Sequence, residues 1–407
     1  MQRRVLSSYV WITVAAVVLT MVLVTNAFAA GEEKMLYAFK GGSDGSYPVS
    51  SLITDGAGNL YGTTLSGGVN NDGTVFELML QPDGKWTEKV LYQFGNLSGG
   101  TGSPNAGLVI DSSGNLYGST QAAPDNGLFG VVFELSLAQN GWTERTLHTF
   151  IGNGDGYGPN GALVIDNNGN LYGTTLFGGA GNYGVVFELA NGSWGETILH
   201  SFSGGLDGGS PEGLAINASG NLYGATSAGG AANRGVLFEL KLSNGGWKEL
   251  TLHSFTGVYD GALPSGSLVF NKRGNIYGST SAGGGGGCTG GCGIVFKLAL
   301  NSQGKWRETV LHVFKNNGHD GNLPLLSFSD GHNLYGVTQL GGRFGGGILF
   351  ELLPAFDGSW VETVLYGFSG GRDGDIPYAV LRNSGKLFGT VTQGGQNFYG
   401  GVFELTP

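Results

Sequence analysis

Two sets of glutamates recur along the chain, and paired carboxylates are the equipment of glycoside hydrolysis. Glu77, Glu134, Glu188, Glu239, Glu351 and Glu404 each stand inside a Phe-Glu-Leu phrase, with Lys297 in the fifth copy. Glu88, Glu144, Glu196, Glu249, Glu308 and Glu362 each follow closely on a tryptophan. An acid–base pair works through unlike environments, one carboxyl held protonated and the other ionised. Near-identical repeated pairs do not offer that, so these acids read as solvent-facing strand residues. No asymmetric set of acid, base and nucleophile stands out. No catalytic residue is assigned, and the chain leans away from being an enzyme.

Metal and redox chemistry fare no better. His148, His200, His253 and His312 fall where Tyr37, Tyr92 and Tyr366 stand in other copies, an alternation that argues against ligation. Asp44, Asp155, Asp207, Asp260, Asp320 and Asp373 recur before Gly, with Thr101 in the second copy. Calcium favours clustered oxygens, and one Asp per loop is sparse. These six read first as Asx-type turns and only second as calcium ligands. Pro48, Pro104, Pro159, Pro211, Pro264, Pro324 and Pro377 follow them and stiffen entry into the next strand. Cys288 and Cys292 share one loop, which in an exported chain reads as a small disulfide; zinc would want four ligands. The glycine run beside them lacks the Lys-Ser/Thr of a phosphate loop. No cofactor is implied.

The elements that must position these residues are written in repeats. "GNLYGTT" at Gly58 returns as "GNLYGST", "GNLYGTT", "GNLYGAT" and "GNIYGST", then as the looser "HNLYGVT" and "GKLFGTV". Its tyrosines, Tyr61, Tyr117, Tyr172, Tyr223, Tyr277 and Tyr335, with Phe388 in the last place, recur with a loose period of about 54 residues. "TVFEL" at Thr74 and "WTEKVLYQF" at Trp86 keep step with it. Each period holds four strand-like runs split by Gly/Asn and Asp-Gly turns. Four antiparallel strands per period describe a propeller blade, and blades stack around an axis.

The last period lacks its tryptophan strand, and "EKMLYAF" (Glu33 to Phe39) carries that register at the other end. The fold class is therefore all-β, a seven-bladed propeller over 30–407 with the N-terminal strand completing the last blade. Closure leaves no open sheet edge. Leu60 should face the blade-to-blade core and Tyr61 the opposite side, with Gly62 leaving room for a neighbouring blade. Gly58-Asn59 should supply the positive-φ turn.

"GNLYGTT…GG…GTVFEL" resembles the GloVer tandem repeat of exported bacterial proteins, over essentially Glu33 to Leu405. The resemblance implies a secreted or surface β-propeller and no assigned reaction. The C-terminal sorting tail expected for surface attachment is not recognisable in this sequence. The "DGxW" turns at Asp83 and Asp357 match the Asp-box of sialidase propellers only in part.

Residues 1–29 read as a separate signal peptide: basic "MQRR", an apolar core from Tyr9 to Val24, and the small-x-small "AFA". The apolar run is short for a span needing about 20 residues, so cleavage is expected over an uncleaved anchor. No membrane span is then expected, and the location is secreted, periplasmic or extracellular. Net charge is −10 with no basic stripe, which excludes nucleic acid as a partner. Eighty glycines beside 46 aromatics (16 Tyr, 23 Phe, 7 Trp) exclude both collagen and a disordered tract.

Function falls to the long loops of one face, where the copies differ most. Aromatics beside Asn or Arg suit sugars, which offer an apolar face and hydroxyl edges. The ligand-binding candidates are Tyr157, Asn182, Tyr183, Asn233, Arg234 and Tyr259. The later loops add Arg343, Phe344, Arg372, Asn397, Phe398 and Tyr399. The expectation is a monomeric binding propeller whose partner is a glycan or an envelope protein. The alternatives are a polysaccharide hydrolase or lyase acting at the axis, and a structural envelope component.

Overall fold

The computed structural model describes residues 31–95, 102–121, 129–243 and 245–407. The stretch expected to be a signal peptide, Thr101 and most of the loop after Thr120 lie outside them. Twenty-eight strands form seven four-stranded antiparallel sheets. The first blade runs Ile53–Thr54, Leu60–Thr64, Thr74–Leu80 and Trp86–Gln93, each strand paired with the next. The next five follow the same order. The seventh takes Asp375–Asn383, Lys386–Gln393 and Gly401–Thr406 from its own period. Its fourth strand is Glu32–Ala38, which places Glu33 opposite Leu405 and Ala38 opposite Gly401. The all-β, seven-bladed propeller closed by the N-terminal strand is thus the structure.

The heptad builds a local lock. Gly58 takes φ 87°, turning the chain between the two inner strands. Asn59 does not share that geometry; its backbone and side-chain N–H groups each donate to Asp55 at 2.9 Å. The Tyr61 hydroxyl then donates to Glu77 Oε1 at 2.9 Å and lies 3.1 Å from Asp55 Oδ2. Burial pushes Asp55 up, but the hydrogen bonds from Asn59, Tyr61 and Ala57 outweigh it and hold the carboxyl below its ordinary value. The same tyrosine–glutamate bond recurs at Tyr223–Glu239 (2.6 Å) and Tyr335–Glu351 (2.6 Å).

Two expectations are corrected here. The Phe-Glu-Leu glutamates are not solvent-facing: Glu77, Glu239 and Glu404 are buried, because register sets each opposite the tyrosine or phenylalanine of its own blade. Gly62 does not make room for a neighbouring blade. A Cβ there would come within 2.6 Å of the Phe76 ring, which belongs to the paired strand of the same blade.

The core is divided among the seven blade junctions. Each apolar cluster joins one blade to the next, Tyr61 and Val75 meeting Leu116 and Phe133 at the first. A phenylalanine ending each outer strand rests edge-on against the Phe-Glu-Leu phenylalanine of the following blade. The centroids lie 5.1 Å apart at Phe94–Phe133 and 5.2 Å apart at Phe202–Phe238. Fully burying such a ring is worth about 3 kcal/mol, so the sequence spends its aromatics where blades touch.

A second junction device is made of backbone. Before each proline the residue adopts a left-handed conformation: Tyr47, Ser103, Gly158, Ser210, Leu263, Leu323 and Ile376 all have φ between 52° and 65°. Their N–H groups donate across to the preceding blade, as in Tyr47 to Tyr399 and Ser210 to Tyr183. The proline that follows packs against a glycine of that blade; a Cβ on Gly184 would reach Pro211 Cδ at 2.7 Å.

Candidate functional site

The loop face sorts the candidate residues into two kinds. Asn182 and Asn233 are turn residues, with φ 61° and 53°. Their Oδ1 atoms accept from the N–H groups of Gly178 and Gly229 at 2.9 Å. Asn397 donates from Nδ2 to the Phe39 carbonyl at 3.1 Å and so ties the closing strand. Tyr183, Arg234 and Tyr399 lie over Gly204, Gly257 and Gly41 of the next blade, filling the space a side chain there would need. These six hold the loops together; Tyr183 and Tyr399 keep part of their rings exposed.

The other kind is half-buried or exposed. Tyr157 stacks on Phe177 with centroids 5.2 Å apart and planes 25° apart, and Phe129 stands edge-on to Tyr157 at 5.4 Å. Phe129, Tyr157, Asn153, Asn182 and Ile151 line a shallow cleft of about 460 Å³. An apolar ring surface flanked by amides can stack on a pyranose face and hydrogen-bond its rim. Of these residues Tyr157 and Asn182 are among the candidates that the sequence offers, and Phe129, Phe177 and Asn153 are not. Phe129 occupies the spacer position that Tyr183 and Tyr399 occupy in their own loops, a signal that loop-by-loop comparison carries.

Phe344 sits beneath the Arg343 guanidinium, 5.4 Å from its ring centroid. With Arg372, Tyr366, Asp373 and Glu33 it lines a wider depression of about 690 Å³. Tyr259 and Phe398 are exposed and stand apart from both clefts. The Cys288–Cys292 disulfide forms as expected.

The axis is the other asymmetric place. Residues that follow the repeated prolines, among them Asn105, Asn160, Glu212, Leu325 and Tyr378, line a cavity of about 140 Å³ bounded by all seven blades. Asn160 Nδ2 donates to Glu212 Oε2 at 3.2 Å. Burial raises Glu212, and hydrogen bonds from Ser227 and Asn160 offset part of the rise. Burial and the Glu212 charge raise Tyr378. Small-molecule sites usually enclose about 300 Å³ or more, so this cavity takes water-sized guests.

At the outer rim six of the junctions set a Tyr or His of one outer strand beside a loop Asp and a Glu of the next outer strand; the remaining one, at Tyr92 and Glu144, has Thr101 in the Asp position, outside the described residues. Tyr37 donates to Asp44 at 2.6 Å and Tyr366 to Asp373 at 3.1 Å. The glutamates after tryptophan are therefore not solvent-facing either. Burial and the Asp44 charge push Glu88 up to about 7 against the pull of Lys40. Glu308 rises to about 7 through burial and Asp260, and Glu33 through burial and Asp373.

Residues 21–217 and 192–403 each match the Gloeobacter/Verrucomicrobia repeat. No curated protein matches the chain in sequence. Among solved structures, the extracellular domain assigned to a one-component system of B. thetaiotaomicron is 12% identical, with a TM-score of 0.57 over 92% of this chain and 40% of that one. This chain thus spans about two fifths of that protein. A protein of Bacteroides fragilis assigned as a 6-phosphogluconolactonase is 11% identical, with a TM-score of 0.52 over 87% and 98% of the two chains. One of Bacteroides uniformis with the same assignment is 12% identical, with a TM-score of 0.50 over 78% and 84%. At such identities the likeness is one of fold. Among the described residues no helix is long and apolar enough to cross a membrane.

Proposed function

The chain belongs to the Gloeobacter/Verrucomicrobia repeat family, and from that premise we propose that it is an exported binding propeller that takes carbohydrate on its loop face. The observation that carries this reading is the Phe129–Tyr157–Phe177 platform, in which Phe177 is exposed and the half-buried Phe129 and Tyr157 share a cleft with Asn153 and Asn182, in a scaffold otherwise built to repeat. Rigid blades hold the platform, so little ordering entropy opposes binding. The basic and apolar N-terminus supports export. Purified protein passed over immobilised glycans and polysaccharides should be retained by at least one, and Tyr157→Ala should abolish retention. Failure on every matrix overturns the reading.

A second reading, a hydrolase or lyase at the axis, draws on Glu212. It is a raised carboxyl among unlike neighbours, which is the environment a general acid requires. The cavity's size counts against it. Turnover of a polysaccharide that is lost in Glu212→Gln would favour this reading over the first.

A further inference from the structure

At two junctions among the described residues the rim corner brings together an imidazole and two carboxylates, each aspartate spending one oxygen on a backbone N–H and keeping the other free. His312 Nε2 lies 3.8 Å from Asp320 Oδ2 and 3.7 Å from Glu362 Oε2. His148 Nε2 lies 3.7 Å from Asp155 Oδ2 and 3.5 Å from Glu196 Oε1. These spacings are too long for hydrogen bonds. Both Nε2 atoms are buried without a partner, as is one oxygen of each of the four carboxylates. The Asp320 side chain is 6% exposed, so its free Oδ1 is held well away from water. In each trio one ligand atom per residue lies within 4.8 Å of the others.

The sister junctions show how such a corner is otherwise closed. At Asp207 and Asp260 the histidine approaches to 3.3 Å with its Nε2 likewise unpartnered, but the second carboxylate oxygen accepts from the hydroxyl of Ser203 or Thr256. The residues whose backbone N–H groups bind Asp155 and Asp320 in the same way are Ile151 and Lys315, which carry no hydroxyl. At Asp44 and Asp373 a tyrosine hydroxyl satisfies the acid directly. Among the described residues, such trios form only where both hydroxyls are absent.

We propose that His148–Asp155–Glu196 and His312–Asp320–Glu362 are two sites for a zinc-type divalent cation that pins adjacent blades together. Zinc bound tetrahedrally at 2.0–2.2 Å to N and O ligands sets them about 3.4 Å apart, a few tenths of an ångström from the histidine–carboxylate spacings here. An imidazole donor and a set of three favour a first-row transition cation over calcium, which takes six to eight oxygens. A divalent charge offsets the repulsion between the two carboxylates of each trio. Water completes the coordination.

The test is calorimetric titration of Zn²⁺ into protein purified after expression of the full chain and stripped with EDTA. About two equivalents should bind, and the thermal midpoint should rise with zinc. His148→Tyr and His312→Tyr reproduce the tyrosine–aspartate corners that already exist, so the fold is kept. Each should remove about one equivalent, the double variant should remove both together with the zinc-dependent shift, and His200→Tyr should change neither. Absence of zinc uptake, or undiminished uptake in the double variant, overturns the proposal.

Discussion

Leu263 donates its N–H to the carbonyl of Arg234, 3.0 Å away across the junction of the fourth and fifth blades, from a backbone with φ 55°. A left-handed leucine costs about 1–2 kcal/mol, and the bond together with the following Pro264 holds it there. Gly158 meets the same demand at the second junction with no Cβ. Leu263 is 38% exposed, so truncation also gives up part of its burial. Relieved strain of about 1–2 kcal/mol should be offset by glycine's chain entropy and the lost burial, and Leu263→Gly should stay within about 1 kcal/mol of the parent. Urea denaturation checks it; a loss of more than about 2 kcal/mol would show that the position is unstrained.

Tyrosine-to-phenylalanine changes in the heptad should follow hydrogen-bond length. The Tyr223 hydroxyl reaches Glu239 at 2.6 Å, whereas Tyr172 makes only longer contacts, to Asp166 at 3.2 Å and Glu188 at 3.4 Å. Removing a donor from a buried carboxylate costs about 2 kcal/mol. Tyr223→Phe should approach that figure and Tyr172→Phe should fall below it, as measured by midpoint shifts in urea.

Ring closure should be as strong as any internal junction. Phe39 lies 5.1 Å from Phe76, and Phe202 lies 5.2 Å from Phe238. Both Phe39→Ala and Phe202→Ala should cost about 3–5 kcal/mol. A much smaller loss at Phe39 would mean that the closing strand is loosely held.

The rim glutamates should make stability fall as pH rises. Burial and the Asp260 charge raise Glu308 from an ordinary value of 4.5 to about 7. Below the ordinary value both folded and unfolded chains are protonated and nothing is lost. Between there and about 7 the unfolded chain ionises first, so stability declines through that window. Glu308→Gln should leave the thermal midpoint unchanged near pH 4 and raise it by about 2 °C at pH 8. An equal shift at both pH values would rule out ionisation as the cause. Glu88→Gln should behave alike.

The architecture was legible because one period governs turns, aromatics and prolines alike, and because the missing tryptophan strand reappears at Glu33. The disulfide was legible from two cysteines in one loop. What stayed hidden depends on register and on the next blade. Repetition made Glu77 look like a surface residue, yet pairing sets it opposite Tyr61, where each supplies what the other lacks. Nothing in the spacing of His148 and Asp155 announces Glu196, which arrives from the following blade. The loop candidates divided for a similar reason: Tyr183 and Tyr157 are alike as letters, but Gly204 beneath Tyr183 makes that ring a spacer.

The strand Glu32–Ala38 and its partner Gly401–Thr406 are separated by nearly the whole described chain. On the ribosome the first is finished long before the second exists, so a nascent propeller stays unlatched throughout translation. A chain threaded through a translocase would keep that slack until its final repeat emerged. The fold carries its own timer: it cannot lock early.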